Sequence, residues 1–353
     1  MSLWEDKVRR VVPYTPGEQP ADTGIIKLNT NENPYPPAPG VLAARDAMDV
    51  ERLRLYPDPA AGELVKALAG RYDVAPEQVF VGVGSDDVLS VAFLTFFNSD
   101  RPVIFPDITY SFYPVWANVY RIPYKMAPLD ADFRIRPEDY YEENGGVIFP
   151  NPNAPTSCYE PLDVVEDILQ HNPDVIVIVD EAYIDFGGTS ALKLLERYEN
   201  LLVVQTFSKS RSMAGLRIGY AIGAPKLIKA MNDVKYSINS YTMNMPSQLM
   251  GVCAVRDEAY FKQCVNRIIA TRERTKAQLL ALGFVFPEPM ANFIFARHPR
   301  FQGRELFEAL RAAHIYVRHF DQPRIGDYLR ITIGTDEQMD VLMDFLKNYI
   351  NSH

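Results

Sequence analysis

The run Val175-Ile176-Val177-Ile178-Val179 is apolar on both of its alternating faces, and it ends in an acid, Asp180. A strand with no polar face has to be covered on both sides, as an inner strand of a parallel sheet is. Further short strands, near 79–83, 102–105, 147–149, 201–206 and 218–222, alternate with helical periodicity. That alternation predicts an α/β fold, a three-layer α/β/α sandwich around a mostly parallel sheet. From 225 to 275 the pattern turns helical: Pro225 opens one helix, and 258–282 reads as a long one with a charged face. A smaller α+β unit follows Gly283, with strands at 293–296, 315–318 and 328–333 and helices at 303–313 and 337–350. The expected division is an N-terminal arm with part of the small domain (1–46), a large domain (47–270) and a C-terminal small domain (271–353). With 353 residues, 47% of them hydrophobic, the chain can bury one large core and a second, smaller one.

Chemistry gathers at the strand ends. A carboxylate at Asp180 costs free energy unless a cation meets it; it could keep a pyridine nitrogen protonated and make the ring an electron sink. Tyr183 follows within reach of a ring oxygen. The strand at 201–206 delivers Lys209 between Ser208 and Ser210, with Arg217 beyond the turn Met213-Ala214-Gly215. A strand-end lysine can form a Schiff base with an aldehyde cofactor while hydroxyl and guanidinium groups hold a phosphate. Upstream, Gly82-Val83-Gly84-Ser85-Asp86-Asp87 joins a strand to a helix start whose free N–H groups suit a phosphate, with Ser85 adding a hydroxyl. The third glycine of a dinucleotide fingerprint is missing and no acid follows at its spacing, so a nicotinamide site is disfavoured. The strand at 147–149 ends in Asn151-Pro152-Asn153-Ala154-Pro155-Thr156-Ser157, where Asn151 is expected to close a turn. Taken singly, each feature has a plain reading. Strand-end lysines are usually solvated, Asp180 could cap a helix, and 20 tyrosines make chance placement easy.

Together the ordered motifs Gly-x-Gly-Ser-Asp, Asn-Pro-Asn-x-Pro-Thr, Asp-Glu-Ala-Tyr and Ser-Lys-x7-Arg resemble the fold-type-I pyridoxal-phosphate aminotransferases. The stretches Leu28-Asn29-Thr30-Asn31-Glu32-Asn33-Pro34-Tyr35, Leu55-Tyr56-Pro57-Asp58, Asp180-Glu181-Ala182-Tyr183-Ile184-Asp185-Phe186 and Leu329-Arg330-Ile331-Thr332-Ile333-Gly334-Thr335 are similar to the histidinol-phosphate aminotransferase family. The resemblance implies pyridoxal 5'-phosphate as cofactor. It makes Lys209, Asp180 and Tyr183 the catalytic residues: Lys209 as the Schiff-base lysine and proton shuttle, Asp180 on the pyridinium nitrogen, Tyr183 on the ring oxygen. Tyr110 would stack on the ring. Gly84, Ser85, Asp86, Ser208 and Arg217 would hold the cofactor phosphate, and Tyr56 would reach it from the neighbouring subunit of a homodimer. Tyr14, Asn33, Arg318 and Arg330 would bind substrate, with Arg324 a rival to Arg318 for a substrate phosphate and Arg330 on glutamate's α-carboxylate. The segment 33–39 would form an active-site arm with Tyr35 over the cofactor. The chain departs from the family's Asn-Pro-Asn-Asn-Pro-Thr-Gly at Ala154 and Ser157, and Asn153 is the expected substitute for the amide lost at Ala154.

The implied reaction transfers an amino group between L-histidinol phosphate and 2-oxoglutarate through a pyridoxamine form, in histidine biosynthesis. The same motifs also fit a threonine-phosphate decarboxylase or an aromatic or general amino acid aminotransferase. An aminotransferase-like regulator would need a DNA-binding domain, and the pattern begins by about residue 28, leaving no room for one. A generic nucleotide-binding α/β protein would leave Asp180 and Lys209 unexplained. A net charge of −9 argues against nucleic acid or an anionic membrane as partner. The three cysteines contain no CxxC pair and the five histidines no metal spacing, so neither a disulfide framework nor a metal is expected. The N-terminus lacks an apolar signal core and no run is long enough to cross a bilayer, which makes the expected location cytoplasmic.

Overall fold

The computed structural model of the chain describes residues 4–20 and 23–353. Strand β1 (Ile26–Lys27) comes first. The central sheet then takes β2 (Val79–Gly82), β3 (Val103–Pro106), β4 (Tyr124–Ala127), β5 (Gly146–Pro150), β6 (Val177–Asp180), β7 (Leu201–Thr206) and β8 (Gly219–Gly223). Its order is β2-β8-β7-β6-β5-β3-β4. Only β8 runs antiparallel to its neighbours, and every other pairing is parallel.

From Val177 onward the doubly apolar run behaves as its pattern requires, while Val175 and Ile176 precede the strand and are half-buried. Val177 and Val179 enter one layer with Val147, Phe149, Val165 and Ile168. Ile178 enters the opposite layer with Phe80, Val88, Phe93 and Val204. Each such side chain, fully buried, contributes about 1.5–3 kcal/mol. The helices Ser85–Phe96 and Leu162–His171 supply covering residues on opposite faces. The sheet is therefore the middle layer of an α/β/α sandwich.

A second unit holds β9 (Phe293–Ala296), β10 (Ile315–Tyr316), β11 (Arg318–His319) and β12 (Leu329–Thr332). Its three-stranded sheet has the order β11-β12-β9, while β10 pairs in parallel with β1. Phe284, Phe293, Ile331, Leu342 and Leu346 share its core with Leu28 from the N-terminal segment. The helix Asp336–Ser352 opens on a capping box in which Thr335 and Gln338 satisfy each other's backbone amides. The helix Glu258–Ala281 runs unbroken past position 270 and contributes Phe261, Val265 and Ile268 to this core.

Two differences from the expected elements matter. The strand expected at 315–318 divides: Ile315 and Tyr316 pair with β1, whereas Arg318 and His319 pair with β12. The chain thus switches sheets within four residues and ties the segment at 26–33 to the C-terminal unit. The edge strand β4 escaped notice because Lys125 interrupts its apolar pattern and Met126 is exposed.

The turn after β2 depends on a glycine contact. A Cβ on Gly219, the first residue of β8, would lie 2.3 Å from both the Gly84 carbonyl carbon and the Ser85 nitrogen. Gly84 itself has φ +87° and serves as N-cap of the helix Ser85–Phe96. Bare backbone against bare backbone sets that helix start at the edge of the cavity described next. Among the described residues no helix is long and apolar enough to cross a membrane.

Candidate active site

Ligands of open α/β sheets bind beyond the carboxyl ends of the strands, and a cavity of about 1030 Å³ of atom-free space, open to solvent, lies there. Its wall includes Ser85 and Asp86 after β2, Tyr110 after β3, Ala154 after β5, Asp180 and Tyr183 after β6, and Ser208, Lys209 and Arg217 after β7. The C-terminal unit adds Arg318 and Arg330, and the N-terminal segment adds Tyr14 and residues 29–31. Residues scattered from 14 to 330 meet in one place.

Asp180 ends a strand buried on both faces and is only 4% exposed. Burial lifts its carboxyl to about 6, against the hydrogen bonds it accepts from Tyr113 Oη (2.9 Å) and Ala182 N–H (3.3 Å). A carboxylate so placed gains from a cationic partner. Lys209 Nζ donates to the Thr30 carbonyl at 2.9 Å. Burial, reinforced by the Arg330 guanidinium, pushes the Lys209 ammonium down to about 8, while Glu32 and Asp86 pull the other way. Near neutral pH a useful fraction of this amine is neutral and nucleophilic. Tyr183 Oη accepts from Asn31 Nδ2 at 2.9 Å, and its ring packs edge-on against Phe293. Burial pushes its phenol up, and the Arg330 charge and the Asn31 bond draw it back.

At the other end, the helix Ser85–Phe96 presents N-terminal amides that no side chain caps. The N–H groups of a helix start attract anions. Arg217 leans over them, filling the place a Cβ on Gly84 would take, 2.4 Å from its guanidinium. Asp86 holds Arg217 at 2.9 Å and accepts from Tyr110 Oη at 2.7 Å. Ser208 and Thr206 exchange a hydroxyl bond at 3.0 Å on the same side. Amides, two hydroxyls and a guanidinium form a phosphate cradle, with an amine, a phenol and a buried carboxylate beyond it. This donor set fits a phosphorylated pyridine aldehyde group by group.

Arg318 and Arg330 are direct cross-strand partners in β11 and β12. Like charges placed opposite each other oppose pairing. Arg330 is half-buried, donates to the Asn29 carbonyl at 2.8 Å and has a buried Nε with no partner among the described residues. Its burial and the Arg318 charge both disfavour its cation. Arg318 rests on the carbonyls of Thr15 and Pro16 at 3.3 Å. Phe320 lies under both guanidiniums, 5.5 and 5.6 Å from their carbons. Tyr14 stacks on Phe112 at 4.2 Å nearby. Two cations with spare donors on one wall form a site for an anion.

Several expected site residues sit elsewhere. Asn153 does not replace the amide lost at Ala154: its Nδ2 is spent on the Ile108 carbonyl, after β3, and on Thr156 Oγ1 in its own loop, both at 2.9 Å. Asn33 faces backbone rather than the cavity, donating to the carbonyls of Lys209 (3.1 Å) and Ser210 (3.2 Å). Arg324 is tied to Asp107 and the carbonyls of Leu129 and Asp130, so it is no rival for a substrate phosphate. Tyr35 packs in the small core with Arg267 4.0 Å over its ring and does not cover the cavity. Gly84 shapes the cradle without lining the cavity. Tyr56 is 79% exposed, stacked on Tyr241, and lies outside this chain's own cavity. Asn151 closes its loop by exchanging two hydrogen bonds with the Glu160 backbone. Thr30, Asn31, Thr206 and Phe320 line the cavity unforeseen. The alternation of Asn29, Asn31 and Asn33 was the one available hint that polar groups here face a common site.

The Asp180 shift predicts a pH signature in the ligand-free protein. A carboxyl raised from 3.8 to about 6 binds its proton more tightly when folded, so stability falls as pH rises through that window. The Asp180→Asn variant lacks this loss. Relative to the parent it should gain roughly 2 kcal/mol between pH 4 and pH 6.5 in urea unfolding. A difference independent of pH would contradict the assignment.

The Aminotransferase class I and II family model matches residues 23–346. The histidinol-phosphate aminotransferase 2 of Dechloromonas aromatica (strain RCB) is 53% identical over 349 residues, covering 98% of each chain. The histidinol-phosphate aminotransferase of Lactococcus lactis subsp. cremoris (strain MG1363) is 50% identical over 349 residues, 99% of this chain and 98% of that one. Among solved structures, histidinol-phosphate aminotransferase from Sinorhizobium meliloti, in complex with pyridoxal-5'-phosphate, superposes with a TM-score of 0.85 at 24% identity, over 93% of this chain and 91% of that one. At that identity the superposition speaks for the fold alone, while the full-length relatives at half identity place the sequence. The chain belongs to the class I and II aminotransferases and, within them, to the histidinol-phosphate aminotransferase family.

Proposed function

We propose that the chain moves an amino group between L-histidinol phosphate and 2-oxoglutarate, yielding imidazole acetol phosphate and L-glutamate in histidine biosynthesis, with pyridoxal 5'-phosphate held in the Lys209 cavity. The observation that carries the substrate class is the register pair Arg318–Arg330 in the same cavity as Lys209. A phosphate ester presents more charge and more acceptor oxygens than a carboxylate and suits two forked cations better than one. Relatives bearing the name of this reaction, 53% and 50% identical over nearly the full length, support the same substrate.

Bound there, the cofactor supplies an electron sink for the charge left when the substrate's amine-bearing carbon gives up its proton. The rest is the work of side chains. Lys209 Nζ, brought by burial to about 8, would take up that proton and give it back. Asp180, steadied by Tyr113, would keep the ring nitrogen protonated. Tyr183 would donate to the ring oxygen, and Tyr110 would flank the ring. The free amides at Ser85 and Asp86, with Thr206, Ser208 and Arg217, anchor the phosphate. Arg330 grips the α-carboxylate of glutamate when that is the donor. Arg318 adds the second cation that histidinol phosphate calls for, and Tyr14 adds a phenol.

The pocket is completed by a second copy in this reading. Leu53, Leu55, Tyr56, Ile238 and Tyr241 are exposed, and Tyr56 stacks on Tyr241. This apolar surface suits a homodimer in which Tyr56 serves the neighbouring phosphate cradle; a monomer in sedimentation equilibrium at micromolar concentration would contradict it. Three free thiols, Cys158, Cys253 and Cys264, suit a reducing cytoplasm, against which periplasmic recovery on fractionation would count. The arm (1–46), large (47–270) and small (271–353) parts are best read as joined through the helix Glu258–Ala281.

Kinetics of two variants test the substrate assignment. Arg318→Ala should lower kcat/KM for histidinol phosphate about 100-fold and that for glutamate only a few-fold, as loss of one charge-assisted contact predicts. Arg330→Ala should impair both. Equal effects of Arg318→Ala on the two substrates would count against a phosphate at Arg318.

A further inference from the structure

The oxygen on the cofactor ring should meet two donors in this family pattern, an amide and a phenol, yet the amide's position holds Ala154. Its methyl lines the cavity, and Asn153 is occupied elsewhere. Tyr183 is left as the side-chain donor. Its acceptor side is already engaged, because Asn31 Nδ2 donates to Tyr183 Oη at 2.9 Å.

Asn31 is itself held from three sides. Its backbone N–H donates to Thr332 Oγ1 at 3.0 Å, its Oδ1 accepts from that hydroxyl at 3.1 Å, and its carbonyl accepts from Asn292 Nδ2 at 3.0 Å. A hydroxyl that has accepted one proton gives its own to Oδ1, which turns Nδ2 towards Tyr183. All three residues are buried. The backbone of Asn31 has φ 57°, a left-handed conformation that asparagine tolerates better than most residues. So rigid a mount, on a strand of the C-terminal unit, aims one amide at one phenol.

We propose that Asn31 is a positioning residue that does at one remove what the amide missing at Ala154 would do directly: by donating to Tyr183 Oη it directs the Tyr183 proton into the cavity and strengthens it as a donor to the ring oxygen. Consecutive hydrogen bonds polarise one another, so the second is stronger for the first. The inference rests on the reading that pyridoxal 5'-phosphate is linked to Lys209.

The test is a spectroscopic pH titration of the cofactor-loaded protein, following the absorption change as the nitrogen linking Lys209 to the cofactor loses its proton. A donor to the ring oxygen stabilises the oxygen's negative charge and so favours loss of the neighbouring proton. Asn31→Gly keeps the left-handed backbone and its backbone bonds and adds no charge; it should raise the midpoint by about 1 pH unit. Adding Ala154→Asn should recover at least half of that rise. In a Tyr183→Phe background, Asn31→Gly should cause no further change. If Asn31→Gly does not fold, Thr332→Val, which frees the Asn31 amide to rotate, should give a smaller rise. An unchanged midpoint in a folded variant overturns the proposal, as does a full rise that persists without the Tyr183 hydroxyl. If the unaltered protein forms no Lys209-linked chromophore at all, the cofactor reading falls and takes this inference with it.

Discussion

Burial of charge at the carboxyl edge of the central sheet is the constraint from which the rest of the site follows. Hydrophobic burial fixes β6 between two apolar layers, and its last residue, Asp180, is carried into them. One strand over, β7 leads to Lys209, whose ammonium pays for its burial with a pKa brought down to about 8. Arg330, half-buried, carries a buried Nε with no partner among the described residues. Each charge alone would be costly. Together they match the charge pattern of the ligands we propose: a protonated ring nitrogen at Asp180, an aldehyde at Lys209 and an anion at the arginines.

Two folding units share that cavity, and their joining is as consequential as the sheet. The central sheet supplies the phosphate cradle, Asp180, Tyr183 and Lys209, while β11 and β12 supply the arginines. Residues 26–33 stitch the two together. Leu28 packs in the small core, the Thr30 carbonyl receives Lys209 Nζ, and Asn31 spans Tyr183 and Thr332. A shift of this segment would alter substrate grip, amine basicity and phenol orientation at once.

Much of this was legible in the chain. The unbroken apolar, β-branched run at 175–179 led to a buried parallel strand, and the glycine turn after 79–83 to an anion-binding helix start. Asp180 and Tyr183 reach the cavity from the first of these, Ser85 from the second, and Lys209 and Arg217 from beyond the strand at 201–206. The failures share a physical cause. Asn153, Asn33 and Arg324 are polar residues in irregular segments, where a side chain can serve the cavity or the backbone equally well, and sequence spacing does not say which. Asn31 went unseen because its partners, Tyr183 and Thr332, are distant in sequence and meet only once β1 has paired with β10.

The central claim is that Lys209 and its neighbours run a two-stage amino transfer on histidinol phosphate. The most direct test is the absorbance spectrum of the cofactor-loaded protein on addition of L-histidinol phosphate with no keto acid present. The Lys209-linked chromophore should convert stoichiometrically to the amine form of the cofactor, and 2-oxoglutarate should then restore it. A spectrum that histidinol phosphate leaves unchanged, in protein whose cofactor is demonstrably linked to Lys209, would contradict it.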